Sequence, residues 1–179
     1  MDVYNEIIRW GKALYNNGYV RGLGGNLSIR VGDYIFIKRT GKCLGFLSKE
    51  DIVKVNIREF SKDASIDLKI HQEIYNNSSS LAIIHAHPAY TITISFYVNN
   101  FLRPIDLEGK YYIKEVPVIE GEHQSIYSKI GQLAKNYNII VERGHGVYVH
   151  QKSLEQCFYL IEMLELSAKI YYLNLLISK

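Results

Sequence analysis

Residues 27–37 read LSIRVGDYIFI. Leu27, Ile29 and Val31 alternate with other residues, Gly32-Asp33 interrupts, and Ile35 and Ile37 resume the alternation. A period of two marks a strand, because successive side chains leave opposite faces of the backbone. Two such runs meeting at a Gly-Asp turn are neighbouring strands joined by a hairpin. A sheet built through short turns contains antiparallel pairs.

The flanking sequence supplies helices and further strands. Val3, Ile7, Trp10 and Leu14 mark an amphipathic helix over 3–15 that Asn16-Asn17-Gly18 ends, followed by a Gly-rich turn at 22–25. DIVKVNI (51–57) reads as a strand. Ser65 precedes a helix in which Ile66, Ile70 and Ile74 form one stripe, with Asp67 and His71 one turn apart on a neighbouring face. LAIIHAH (81–87), closed by Pro88, has the profile of a buried strand. The stretch from Phe96 to Glu122 is mixed and contains the strand-like YYIKEVPVI. Ile126, Ile130 and Leu133 mark another helix, and IIVERGHGVYVH (139–150) reads as two strand pieces joined through Gly144 and Gly146. A last helix starts at Ser153 with Gln156 completing a capping box; its stripe is Leu154, Phe158, Ile161, Leu164, Ala168 and Tyr172. No linker or repeat divides the chain. The expectation is one α/β domain over residues 1–179, with a central, mainly antiparallel sheet flanked by helices.

Composition narrows the function. The 179 residues are 47% hydrophobic and 22% charged, the balance of a folded protein. Twenty-one Lys and Arg against 18 Asp and Glu leave a charge of +3, too even for nucleic-acid binding as the main activity but suited to a small anion. Cys43 and Cys157 cannot form a disulfide framework, and no charged-then-apolar leader is seen, so a cytoplasmic address is expected. Glu162, Glu165 and Lys169 interrupt the most apolar stretch, Phe158 to Ile177, which excludes a membrane span there.

Three of the six histidines stand out as candidate metal ligands. His85 and His87 lie two apart on a strand-like run and therefore share a face, where two imidazoles can bind one divalent metal, Zn²⁺ above all. A plain pair of core or surface histidines has the same spacing, but imidazoles ending an apolar strand need partners. His145 sits between two glycines, where the backbone bends sharply and approaches other groups closely. Three neutral imidazoles leave coordination positions open for substrate, the catalytic form of a zinc site. His71 reads as a packed or hydrogen-bonding residue, and His123 and His150 as solvated. Three turns are candidate anion sites: Gly22-Leu23-Gly24-Gly25-Asn26, Thr40-Gly41-Lys42, and Ser65 at the start of a helix. Each is an ordinary turn taken alone; together they outline a phosphate cradle.

The sequence resembles the class II aldolase/adducin family, most of all its short archaeal and bacterial L-fuculose-1-phosphate aldolases. The likeness is carried by GLGGNLSIR (22–30), RTGKCLGFLSKEDIVKV (39–55), the helix before HQEIY (71–75), IIHAHP (83–88) and RGHGVYVHQKSLEQ (143–156). It implies a metal-dependent homotetramer with active sites between subunits. It also implies a zinc lyase that reversibly cleaves a ketose 1-phosphate such as L-fuculose 1-phosphate into dihydroxyacetone phosphate and a lactaldehyde-like aldehyde, with Mn²⁺ or Co²⁺ as substitutes. By resemblance, His85, His87 and His145 match the zinc-binding histidines, and Gly25, Asn26, Thr40, Gly41 and Ser65 the phosphate-binding segments. Asp67 stands where the family has its catalytic glutamate, one methylene shorter, and Ile66 where it often has a hydroxyl. A tyrosine borrowed from a neighbouring subunit as proton donor would fall in 96–112, with Tyr111, Tyr112 and Glu108 as candidates. The same family contains sugar-phosphate 4-epimerases, methylthioribulose-1-phosphate dehydratases and non-catalytic adducin heads; a metal-stabilised structural domain is the remaining alternative.

Overall fold

A computed structural model describes residues 2–121 and 123–177, with the side chains of His123 and Gln124 left out of account. Eight strands form one sheet: β1 (Asn26–Val31), β2 (Tyr34–Lys38), β3 (Ile52–Asn56), β4 (Ala82–Ala86), β5 (Phe101–Leu102), β6 (Val116–Ile119), β7 (Ile139–Glu142) and β8 (Gly146–Gln151). Their order is β3-β2-β1-β4-β8-β7-β6-β5. Every neighbouring pair is antiparallel except β6–β7. Among the described residues the α-helices are α1 (Val3–Asn16), α2 (Leu68–Asn77), α3 (Ala89–Ser95), α4 (Leu107–Tyr112), α5 (His123–Leu133) and α6 (Leu154–Ile177). The expected α/β domain with a mainly antiparallel sheet is what the chain forms.

Helices cover both faces, so the β1–β2 hairpin buries side chains in two directions. Leu27 and Ile29 join one core with Trp10 of α1, Ile94 of α3 and Phe158 and Ile161 of α6. Ile35 and Ile37 join the other with Ile70 and Ile74 of α2 and Ile126 and Ile130 of α5. The pairing of Ser28 with Ile37 places Ser28 on the second face. In central β4, Ala82, Ile84 and Ala86 pack toward α1 and α6, whereas Ile83 packs toward α2 and α5. The two-residue period then puts His85 on the α2–α5 side.

Four local expectations need correction. The helix after Ser65 begins at Leu68 with Asp67 as its N-cap; Ile66 is 73% exposed and takes no part in the Ile70–Ile74 stripe. Ser65 is therefore outside the helix, and its N–H bonds to the Lys38 carbonyl at 2.9 Å. YYIKEVPVI is half helix: α4 runs to Tyr112, Lys114 turns with φ 65°, and the strand starts at Val116. His150 is buried, its Nδ1 2.8 Å from Ser80 Oγ and its Nε2 2.9 Å from the Tyr137 carbonyl. The side chain of His123 lies outside the described residues. Among the described residues no helix is long and apolar enough to cross a membrane.

Candidate active site

At one end of the sheet β2 and β4 finish, β1 begins, and the turn between β7 and β8 bends back. These ends enclose a cavity of about 680 Å³. All nine singled-out residues line it: Gly25, Asn26, Thr40, Gly41, Ser65, Asp67, His85, His87 and His145.

Register builds the corner that could hold a metal ion. His85 pairs with Asn26 on β1 and with Tyr148 on β8, and Tyr148 stacks on its ring at 4.2 Å. His85 Nδ1 lies 3.1 Å from the Val147 carbonyl, so it donates there and leaves Nε2 as the acceptor facing the cavity. His87 Nε2 stands 3.0 Å from it. His145 enters from the β7–β8 turn, where Gly144 has φ +70°. One ligand atom from each of the three imidazoles lies within 4.8 Å of the others. Gly146 makes this approach possible: a Cβ there would lie 2.7 Å from His87 Cδ2 and 3.0 Å from His85 Cε1. Burial, then the neighbouring imidazoles, holds His85 well below the usual imidazole range, and His87 is pushed down to about 4 by burial and by His145. Neutral imidazole is the form that ligates a metal. His145 is raised, because its Nδ1 lies 2.7 Å from Glu142 Oε2. Fixed Nδ1–H donors on His85 and His145 and two imidazoles kept neutral make a donor set suited to a divalent cation.

Asp67 borders this corner, with Oδ2 3.9 Å from His85 Nε2 and 2.6 Å from Asn26 Nδ2. The opposite side is made of turns. Gly25 has φ +72°, and a Cβ on it would strike Val20 and stand 2.9 Å from the His85 carbonyl, so the Gly-rich turn lies against β4. Gly41 also has a positive φ, +69°. The Thr40 N–H is bonded to the Asp63 carbonyl and the Ser65 N–H to Lys38, which leaves their hydroxyls as the groups for an anion.

Two further residues line the site with little signal in the sequence, Lys38 and Glu142. Lys38 is 3% exposed and donates from Nζ to the carbonyls of Leu23 and Lys42, at 2.9 and 2.8 Å, tying the two candidate anion turns together. Burial lowers its pKa. A lone cation closing the strand YIFIK was its only signal. Glu142 was signalled by a carboxylate three residues before a glycine-flanked histidine. Tyr111, Tyr112 and Glu108 do not line the cavity.

Known proteins bear on this site. A family model, the Class II Aldolase and Adducin N-terminal domain, matches residues 5–172. The L-fuculose phosphate aldolase of Methanocaldococcus jannaschii is 30% identical, over 97% of this chain and 98% of its own. A 3-oxo-tetronate 4-phosphate decarboxylase of Cupriavidus necator is 27% identical, over 93% of this chain and 82% of that one. The crystal structure of L-fuculose-1-phosphate aldolase from Thermus thermophilus superimposes with a TM-score of 0.93 at 27% identity, covering 98% of this chain and 95% of its own. On the family model and on a relative of that identity along nearly the whole chain, this protein belongs to the class II aldolase and adducin family.

Proposed function

We propose that the protein is a divalent-metal-dependent aldolase that reversibly cleaves a ketose 1-phosphate, L-fuculose 1-phosphate or a close relative, into dihydroxyacetone phosphate and a short aldehyde. One observation carries the reading: three imidazoles converge beside a buried carboxylate at one side of a cavity whose other side is made of polar turns and a buried lysine. The named relatives in Methanocaldococcus jannaschii and Thermus thermophilus support the same activity.

His85, His87 and His145 would hold the cation, Zn²⁺ by donor type and Mn²⁺ or Co²⁺ as substitutes. Bound there, it supplies Lewis-acid stabilisation of the negative charge that develops on the ketose oxygens, worth several kcal/mol. The phosphate is held by Lys38, by the hydroxyls of Thr40 and Ser65, and by the turns at Gly25-Asn26 and Gly41. That remote binding energy orients the reacting carbon. In cleavage the C4 hydroxyl gives up its proton and the C3–C4 bond breaks with its electron pair left on C3. The aldehyde departs, and Asp67 returns a proton to C3. In synthesis Asp67 removes that proton as general base. The C4 hydroxyl proton passes to a group from a neighbouring subunit, which returns it as proton donor in synthesis. Tyr111, Tyr112 and Glu108 of α4 are the candidates for that group in a homotetramer with sites between subunits; Tyr111 and Tyr112 are 72% and 62% exposed and none of the three lines its own chain's cavity. A cytoplasmic address belongs to the same reading.

Decarboxylation of a 3-oxo acid phosphate is the second reading, favoured by the Cupriavidus necator relative. Product analysis separates the two: dihydroxyacetone phosphate plus aldehyde, or carbon dioxide. A chelator should abolish turnover and Zn²⁺, Mn²⁺ or Co²⁺ restore it. Asp67→Asn should reduce turnover at least a hundredfold with the metal retained. Metal-loaded protein that cleaves no ketose 1-phosphate refutes the proposal, and an active Asp67→Asn variant removes Asp67 from the base role.

A further inference from the structure

Behind Asp67 lies a chain of buried polar side chains, of which the mechanism above uses only Asn26. Asp67 is the N-cap of α2, yet its carboxylate makes no capping bond to its own helix. It turns to Asn26, whose Nδ2 is 2.6 Å from Oδ2. Asn26 Oδ1 is 2.6 Å from His71 Nε2, His71 Nδ1 is 2.7 Å from Ser28 Oγ, and Ser28 Oγ is 2.8 Å from Tyr75 Oη. Ser28 and His71 are fully buried, and Tyr75 is 1%, Asn26 3% and Asp67 5% exposed.

The donor directions follow from one end. The Asn26 amide NH₂ donates to Asp67 Oδ2, which turns its carbonyl oxygen toward His71. A carbonyl only accepts, so His71 Nε2 carries the proton. Burial pushes the His71 pKa down to about 3, so the ring is neutral and Nδ1 accepts from the Ser28 hydroxyl. Ser28 and Tyr75 sit on β1 and α2, held by the packing of that helix against the sheet. His71, Ser28 and Tyr75 do not line the cavity; Asn26 and Asp67 do.

We infer that His71 is a positioning residue for the reaction: through its Nε2–H it holds the Asn26 amide with NH₂ toward Asp67, and so fixes the carboxylate beside the histidine cluster. The arrangement suits an acid one methylene shorter than glutamate. Its place is set by a tether across the helix–sheet interface instead of by its own reach. The inference rests on the assignment of Asp67 as base.

The test uses the metal-loaded full chain with L-fuculose 1-phosphate as probe. His71→Leu should lower kcat by about 10- to 100-fold, the effect of misplacing a catalytic group by about 1 Å. KM should rise by a smaller factor than kcat falls, because Asn26 also belongs to the phosphate cradle, and metal content should be unchanged. His71→Gln, whose amide can still donate to Asn26, should recover most of the lost kcat. Ser28→Ala removes one oxygen and frees His71 Nδ1; it should cost about fivefold, the worth of one neutral hydrogen bond, and is the deciding variant if His71→Leu does not fold. Side-chain ¹⁵N spectra, which need no turnover, should show His71 as the Nε2–H tautomer. A kcat within twofold of wild type in His71→Leu and Ser28→Ala, an equal loss in His71→Gln and His71→Leu, or an Nδ1–H tautomer overturns the inference. An active Asp67→Asn variant strikes the base assignment instead, and the tautomer then still judges the tether by itself.

Discussion

Gly146→Ala adds one methyl group beneath two of the three clustered imidazoles. Its Cβ would stand 2.5 Å from the Ala86 carbonyl oxygen, 2.7 Å from His87 Cδ2 and 3.0 Å from His85 Cε1. Carbon atoms at rest sit about 3.5–4.0 Å apart, so the rings must retreat by roughly 0.5–1 Å. The backbone cannot yield in their place, because Gly146 pairs with Glu142 across the hairpin and Val147 with Ala86 on β4. Overpacking of this kind costs about 1–3 kcal/mol. Alanine offsets about 0.4–1 kcal/mol of that by restricting the unfolded chain. The net loss centres on about 1.3 kcal/mol, which lowers Tm by roughly 3–5 °C in a domain of this size. Displaced ligand rings should also weaken Zn²⁺ binding by about 10- to 100-fold, the range seen when the support of a ligand is removed. The assays are chelator competition for Zn²⁺ and thermal unfolding of metal-free protein. A metal-free Tm equal to or above wild type, with Zn²⁺ affinity within twofold, would refute both the packing argument and the place of these rings in the site.

Other outcomes follow from the same geometry. Metal-free protein should lose stability as pH falls from 6.5 toward 4. His71 at about 3, His87 at about 4 and His85 well below the usual range stay unprotonated when folded, while the unfolded chain takes up protons. His71 alone should cost about 2 kcal/mol by pH 5. The half-exposed His145, raised by Glu142, acts in the opposite sense and more weakly. A urea midpoint unchanged between pH 7 and pH 5 would contradict this. Lys38→Met keeps the stem but leaves the Leu23 and Lys42 carbonyls without their donor. It should destabilise by about 1–3 kcal/mol and raise KM for a phosphorylated ketose more than tenfold, read from steady-state kinetics with inorganic phosphate as competitor.

What the amino-acid order determined by itself was local. A two-residue period places His85 with Ile83 on one face whatever the rest of the chain does, and Gly144-His145-Gly146 announces a bend. The hairpin at Gly32-Asp33 and the antiparallel sheet follow from runs too close in sequence for a crossover. Propensity is ambiguous elsewhere: the spacing of Ile66 continues a helical stripe, but Ile66 lies exposed, because the backbone from Asp63 to Ser65 is bonded alongside the end of β2 and the helix cannot begin before Leu68. His150 looked solvated from its place near a strand end, but Ser80 and the Tyr137 carbonyl, far along the chain, bury and satisfy it.

Only the tertiary structure decided which groups meet. Lys38 became the link between two turns because strand register brings Leu23 and Lys42 to its amine, and no spacing in the sequence encodes that distance. Glu142 acquired its partner when the β7–β8 turn folded His145 back over it. The five side chains from Tyr75 to Asp67 come from one strand and one helix separated by some forty residues, and they align only when α2 packs on the sheet. Side-chain chemistry and periodicity are properties of neighbours along the chain. Hydrogen bonds of 2.6–2.8 Å are properties of neighbours in space, and packing alone sets them.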